Sequence, residues 1–430
     1  MIDAKSILSE FRKDLFGKTG RQASVLYSSQ IAALLLGLVT RIISTRALGP
    51  EGYGILAFFI SITTFTVLFF RFGLFSAGTL LIAESKSERE GRELAGSLIL
   101  VTFIAGVVYS LFVLIFSFFI DDIFNTEIGW ILRYCSVLVI ILPFTYLIYS
   151  VGTGMNKIER MSLFNIIPRL TYVLGALVLL KMLEISPFHF VLLHIASIIV
   201  GVLFTVNLFH PLFTQMRKNL HSIWQKTKDY GRHVYFGEIA NQTTYHLDGI
   251  FITFFVNTTQ LGFYSLATAI TTPMVALSRS LLITLFKDFT RLTRIPRKVI
   301  VYNFLWLAAC VAGLAIFGKF IVVLLFTEKF LPAVRLIPPL AVAAFFQGMY
   351  QPYGFLAAKG KGKWIRNVAH TEAVCNVIGN IFLIYFFGAY GAAVASAISK
   401  FIHWVMLRHY YHRFIKGDTT TSQDDTQIDS

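Results

Sequence analysis

Leu48-Gly-Pro-Glu-Gly-Tyr-Gly-Ile-Leu-Ala57 is a short turn of glycine and proline between two long apolar runs. The run that enters it carries Arg41, and the run that leaves it carries Arg71. A shortened version of the same turn recurs at Leu261-Gly-Phe-Tyr-Ser-Leu-Ala267, again between apolar runs. A turn repeated with its flanks about half a chain apart indicates an internal duplication, and that reading organises the rest of the chain.

The 430 residues are 56% hydrophobic and 15% aromatic, and only 14% are charged. An ordinary soluble domain carries about 25% charge. Mean hydropathy is +0.68. Apolar stretches of about 18 residues or more recur from end to end, long enough to cross a hydrocarbon core of about 30 Å. The alternating period of a membrane barrel is absent. The sequence therefore predicts an all-α polytopic membrane protein.

Twelve spans are expected, at about 23–45, 53–83, 94–120, 131–151, 161–183, 188–213, 233–256, 262–286, 298–326, 333–357, 368–387 and 390–411. The predicted organisation is a cytoplasmic amphipathic segment (1–22), a six-helix bundle (23–213), a basic cytoplasmic linker (214–232), a second six-helix bundle (233–415) and a disordered cytoplasmic tail (416–430). In the first segment Ile7, Phe11 and Leu15 recur every four residues among basic ones, which suits a helix lying on the membrane surface. Its charge argues against a signal peptide. Mid-span prolines at 143, 168, 273, 338 and 339 predict kinks.

Net charge is +15, but the distribution argues against nucleic acid. Lysines and arginines concentrate in alternate connections, such as Lys86, Arg89 and Arg92, or Lys359, Lys361, Lys363 and Arg366. That bias marks the cytoplasmic side, so both termini are expected inside, in a cytoplasmic membrane. Cys135, Cys310 and Cys375 lie in apolar runs without metal or redox spacing, and read as packing residues. No metal or cofactor is expected.

The inner loop Gly152-Thr-Gly-Met-Asn-Lys157 has a counterpart in Ala358-Lys-Gly-Lys-Gly-Lys363. With six spans per half, the two halves enter the membrane in the same orientation, as parallel repeats. LGPEGYGILAFFISITTFTVLFFRFGL (48–74) and LDGIFITFFVNTTQLGFYSLATAITTP (247–273) carry a wider likeness. So do Val151-Gly-Thr-Gly-Met-Asn-Lys157 and Gly388-Ala-Tyr-Gly-Ala-Ala-Val-Ala395. In this order, over about 24–413, they resemble the polysaccharide (Wzx-like) flippase branch of the multidrug/oligosaccharidyl-lipid/polysaccharide exporter superfamily.

The resemblance implies two six-helix bundles around a central cavity. It also implies movement of a polyprenyl-pyrophosphate-linked oligosaccharide from the inner to the outer leaflet. Lipid II flippases of the same superfamily have 14 helices, a pair more than expected here. The implied partners are the glycolipid substrate, membrane lipids and polysaccharide-assembly proteins.

Ionisable residues inside spans are costly and default to function. In the first span Gln30, Leu34, Gly37, Arg41 and Ser44 share one helical face. Thr64, Arg71 and Gly78 share another, and Thr268, Thr272 and Arg279 a third. Arg71 follows Tyr53 by 18 residues and Arg279 follows Tyr264 by 15, which places both roughly 22–27 Å from the outer turn, in the inner half. Arg41, Arg71 and Arg279, with Gln30 and Lys400, are the expected headgroup ligands. Arginine recognises phosphate oxygens bidentately and keeps its charge. The resemblance likewise implies a cavity lined by arginines.

The plainer reading is that Arg71 snorkels to the inner headgroups, that Arg41 snorkels outward or pairs with an acid, and that Lys400 only packs.

Glu238, Asn241, Gln242, Tyr245 and Asp248 form the strongest polar stripe in the chain. Asp248 and Glu238 are expected to be counter-ions to the arginines, or a proton or sodium coupling site. His194, His246 and His403 read as packing residues. A cation- or drug-exporting antiporter of the same superfamily is the competing function; it would want cavity acids and few arginines. A membrane enzyme of polysaccharide assembly would want a carboxylate constellation, and the isolated pair Asp121-Asp122 is the nearest to one.

Overall fold

A computed structural model describes the backbone of residues 18–181 and 185–424. Within these, the side chains of 18–27, 233, 236–238, 240–246, 283–284, 287 and 417–424 are outside the description. The expected amphipathic segment and the last tail residues therefore fall largely outside it.

Every regular element among the described residues is helical. The α-helices are α1 (Lys18–Val67), α2 (Leu74–Ala83), α3 (Glu88–Phe116), α4 (Ile120–Phe124), α5 (Gly129–Cys135), α6 (Leu142–Gly154), α7 (Ile158–Leu179) and α8 (Pro187–Leu208). They continue as α9 (Met216–Lys226), α10 (Arg232–Phe255), α11 (Thr258–Thr271), α12 (Pro273–Arg291), α13 (Arg297–Leu325), α14 (Ile337–Tyr350), α15 (Phe355–Ala358) and α16 (Gly362–Asp424). Large apolar side chains stand exposed along them, such as Ile316, Tyr385 and Phe386, each about 70% exposed. An aqueous protein does not leave such faces uncovered. The chain is a multi-pass membrane protein.

Among the described residues seven helices are long and apolar enough to span, or nine if two bent pairs each count as one span. The count falls short of the twelve expected for identifiable reasons. Expected span 1 and the first part of span 2 lie in the single element α1, and spans 11 and 12 in α16. Each element breaks at a glycine, Gly49 (φ 67°) and Gly388 (φ 58°), in a conformation that favours glycine. Pro50 then opens the helix after the first break, where its missing N–H costs nothing. Span 7 lies in α10, where many side chains are undescribed.

Two other expected spans are bent. Residues 129–154 turn by 63° before α6, whose first turn holds Pro143, and α11 meets α12 at 45°, at Pro273. The second expected span is broken as well. A 3₁₀ turn (Leu68–Phe70) ends the α1 segment, and Phe72 (φ 47°) and Gly73 (φ 72°) precede α2.

The chain divides into two compact units. The first comprises Met1–Leu48 and Ile62–Ile239. Its buried core includes Phe75, Ala77 and Ile82 of α2, Leu98 and Tyr109 of α3, and Leu147, Ile148 and Val151 of α6. Tyr109 is fully buried, yet it donates to the Thr63 carbonyl at 2.9 Å and meets Thr66 Oγ1 at 3.1 Å. Asp121 accepts from the backbone N–H of Ile128 (2.8 Å) and Gly129 (2.9 Å) and from the Thr126 hydroxyl (3.1 Å), so it caps the start of α5.

The second unit comprises Gly49–Ser61 and Ala240–Ser430. One core cluster gathers Phe289, Tyr353, Phe355, Leu356, Val368, Leu407 and Tyr411. A second gathers Met274, Val275, Leu307, Ala341, Ala344 and Met349. The two copies of the repeated turn also meet here. Tyr53 and Phe263 approach the fully buried Phe330 edge-on, with centroids 6.2 and 6.1 Å away.

Candidate functional site

In the first unit, α1 presents Gln30 and Arg41 as exposed residues, as the expected face requires, while Ser44 is buried against Tyr172 (Oγ to OH, 2.7 Å). Arg41 has no ion-pair partner among the described residues. An arginine inside a span is not left against lipid tails, so an exposed one is read as facing water. α7 adds a second cation. Arg169 donates to the Asn165 carbonyl one turn earlier, lies 3.7 Å from a methyl placed at Gly37, and is near enough to Arg41 for the two charges to act on each other. Asn165 also accepts from Tyr149 OH at 2.8 Å. The sequence offered no signal for this pairing, since Arg41 and Arg169 are far apart in the chain.

Arg71 is placed differently. Its guanidinium lies over the Tyr146 ring, 4.2 Å from the centroid, so its charge is engaged by an aromatic face. Nearby, Tyr235 OH donates to the Phe69 carbonyl at 2.7 Å. The break at 71–73 also ends the helical period, so Thr64, Arg71 and Gly78 do not share a continuous face. Arg279 is exposed on α12, beyond the bend at Thr272 that separates it from Thr268 on α11.

The second unit holds two buried polar centres. The first is Asp248. Its Oδ2 accepts from Tyr264 OH at 2.5 Å and from Ser396 Oγ at 3.1 Å, and its Oδ1 accepts from Asn380 Nδ2 at 2.6 Å. The Asn380 amide also reaches Asn376 Oδ1 at 3.1 Å. Three neutral donors thus replace the water that an ionised carboxylate would otherwise need. Among the described residues no arginine pairs with it. Glu238, Asn241, Gln242 and Tyr245 have side chains outside the description.

The second centre is Glu372. Lys400 Nζ donates to its Oε1, and His403 Nδ1 bonds its Oε2. Lys400, expected at the headgroup, is therefore engaged by an acid on the preceding helical segment. His403, expected to pack, is a polar partner. Glu372, Asn376 and Asn380 recur every four residues and are all buried, so this polar stripe is the signal in the sequence that could have found Glu372. Among the described residues there is no cluster of three or more His, Cys, Asp or Glu suited to a metal ion.

Known proteins resemble this chain in sequence and in fold. A low-salt glycan flippase of Haloferax volcanii, described as "Probable low-salt glycan biosynthesis flippase Agl15", is 23% identical over 293 residues. The match covers 66% of this chain and 61% of that protein's length. An inward-facing multidrug resistance transporter of the MATE family and MOP superfamily shares the fold, with a TM-score of 0.72 at 16% identity over 93% of this chain and 99% of that one. The lipid II flippase MurJ, in an inward closed conformation, gives 0.66 at 18% identity over 89% of this chain and 86% of that one. The model of the polysaccharide biosynthesis protein family matches residues 19–286, more than half of the sequence, and the chain belongs to that family.

Proposed function

We propose that this chain is a flippase that carries a polyprenyl-pyrophosphate-linked oligosaccharide from the inner to the outer leaflet of a cytoplasmic membrane by alternating access. The observation that carries the reading is the pair of accessible arginines in the first unit, Arg41 and Arg169, held near each other within apolar helices. Two like charges so placed repel one another unless an anion joins them, and a pyrophosphate is such an anion. Family membership and a relative named as a glycan flippase support the same class of cargo. In the proposal Arg41 and Arg169, with Gln30, bind the headgroup in the first unit, and Arg71, Arg279 and Lys400 are further proposed ligands of the cargo. The domain plan of two six-helix halves (23–213 and 233–415) joined by a basic linker (214–232), with both termini cytoplasmic, belongs to the same proposal.

A cation- or drug-exporting antiporter is the alternative, favoured by the likeness in fold to the MATE transporter. Such a protein needs an acid free to meet its cargo. Among the described side chains the intramembrane acids Asp248 and Glu372 are each committed to partners within the second unit.

The test is flipping of a fluorescent polyprenyl-pyrophosphate oligosaccharide in proteoliposomes, comparing wild type with Arg279→Ala and Arg279→Lys. Flipping by wild type, loss in Arg279→Ala and partial recovery in Arg279→Lys are expected. A wild type that flips no lipid-linked glycan but lowers the accumulation of cationic dyes in cells would replace the flippase with the exporter.

A further inference from the structure

Beside the Arg41–Arg169 pair, the first unit holds polar groups that an anion would leave unused. Asn165 stands one helical turn before Arg169 on α7, so the two share a face. Arg169 donates to the Asn165 backbone carbonyl, which ties the cation to this turn. The Asn165 side chain is separate from that bond. Its Oδ1 accepts from Tyr149 OH on α6 at 2.8 Å. Its Nδ2 carries two N–H donors, which have no partner among the described residues.

Tyr149 is 42% exposed, although it lies in an expected span. Its ring is held at two points. The buried Phe164 ring meets it in a T-shape, with centroids 6.0 Å apart and planes at 81°, and Asn165 takes its hydroxyl. A tyrosine fixed in this way offers contact area at little cost in conformational freedom.

These groups are polar or aromatic, but they carry no charge. An arginine pair suits an anion. An amide with open N–H donors beside an exposed ring suits a neutral polyol instead. Hydroxyl oxygens accept from the amide, and the C–H face of a pyranose lies on the ring. A lipid tail does not fit, because an amide with open donors is costly against hydrocarbon. Four residues of helix rise about 6 Å, so the amide lies a short distance along α7 from Arg169. In a pyrophosphate-linked oligosaccharide, the part that close to the anion is the sugar bonded directly to it. Tyr149 and Asn165 both lie nearer the 152–157 turn than Arg169 does, so the sugar would sit on that side of the anion.

We propose that Tyr149 and Asn165 form a sugar subsite, which binds the sugar bonded directly to the pyrophosphate while Arg41 and Arg169 hold the anion. The proposal rests on the flippase reading. Tyr149 has two parts in it: its ring receives the sugar, and its hydroxyl orients the Asn165 amide.

The test is competition in proteoliposomes. Flipping of the fluorescent polyprenyl-pyrophosphate oligosaccharide is inhibited by two unlabelled lipids: the same glycolipid trimmed to its first sugar, and polyprenyl pyrophosphate without sugar. The readout is the ratio of the two inhibitory concentrations. Wild type should favour the lipid that keeps its sugar. Asn165→Leu retains the backbone carbonyl that holds Arg169, and should lower the preference roughly two- to tenfold, the worth of one neutral hydrogen bond. Tyr149→Leu should remove most of it, and Tyr149→Phe, which keeps the ring, should fall between. Arg169→Ala should weaken both lipids and leave the ratio near that of wild type. A wild type that takes both lipids equally overturns the proposal, whatever the variants do. So does a ratio unmoved in Asn165→Leu and Tyr149→Leu. Both lipids are compared on one preparation, so a smaller folded fraction does not imitate a changed ratio. A wild type that flips the glycolipid with no preference removes this proposal alone. A wild type that flips no lipid-linked glycan removes the flippase reading, and the subsite with it.

Discussion

Gly54 and Gly262 abut where the segment after the Gly49 break crosses α11. A methyl group placed on Gly262 would lie 3.2 Å from the Gly54 amide nitrogen and 3.3 Å from its Cα. These glycines stand in the two copies of the repeated turn, so within the second unit the duplicated motif packs against itself. The contact is backbone to backbone, and no side chain can rotate away to make room. Gly262→Ala should therefore destabilise the protein by about 1–3 kcal/mol, the usual cost of overpacking. Gly313→Ala is the control: that glycine has open space around it, and alanine is the better helix former. Thermal unfolding in detergent should show a lower midpoint for the first variant and an unchanged or higher one for the second. Equal midpoints would mean that the crossing can relax.

Asp248 is held by three donors from three helical segments, so its partners should not act independently. Removing one, as in Tyr264→Phe or Asn380→Ala, should cost about 1–3 kcal/mol, because a buried carboxylate loses a donor. The double variant should depart from the sum of the singles by about 0.5–3 kcal/mol, as expected for groups that share one acceptor. Unfolding of the four proteins closes the cycle. Strict additivity would mean that the carboxylate is hydrated instead.

What was legible in the sequence was local. Gly49-Pro50 and Gly388 announced breaks, and the breaks lie there. Asp248 stood out because a stripe of polar residues in an apolar run has a helical period. Its partners could not be read, since Asn380 and Ser396 are 132 and 148 residues away in the chain. Glu372 heads a shorter stripe with Asn376 and Asn380, but its partners Lys400 and His403 lie 28 and 31 residues away, and Arg169 sits on a helix with no other charge at its depth. A hydropathy pattern records which residues leave water. It does not record which buried groups meet, because that depends on how helices distant in sequence pack. The expected face through Thr64, Arg71 and Gly78 failed for a local reason, the positive φ at Phe72 and Gly73.

Arg41 and Arg169 should behave as one anion-binding element. Each charged hydrogen bond to a phosphate is worth about 1.5–3 kcal/mol. Arg41→Ala and Arg169→Ala should thus each weaken the apparent affinity for the fluorescent glycolipid by roughly 10- to 100-fold, since about 1.4 kcal/mol is tenfold. Arg41→Lys should recover part of the loss, because charge remains while the bidentate fork is gone. Concentration dependence of flipping measures both. Variants that flip with unchanged affinity would place the headgroup elsewhere.

Asp121 is the residue on which an enzyme reading would lean, and the structure gives it a different task. Its carboxylate accepts from two backbone N–H groups at the start of α5 and from the Thr126 hydroxyl. Every one of these donors needs an acceptor that alanine cannot supply. Asp121→Ala should cost about 0.5–2 kcal/mol, the range of a lost helix cap. Asp121→Asn keeps a carbonyl oxygen for the backbone donors and should cost less. Neither change alters a group proposed to touch the cargo, so the flipping rate per folded molecule should match wild type. Unfolding midpoints and flipping rates on the same preparations separate the two roles. A residue that caps a helix loses stability in proportion to its lost hydrogen bonds. A catalytic carboxylate would instead lose all activity in Asp121→Asn while the fold stayed intact.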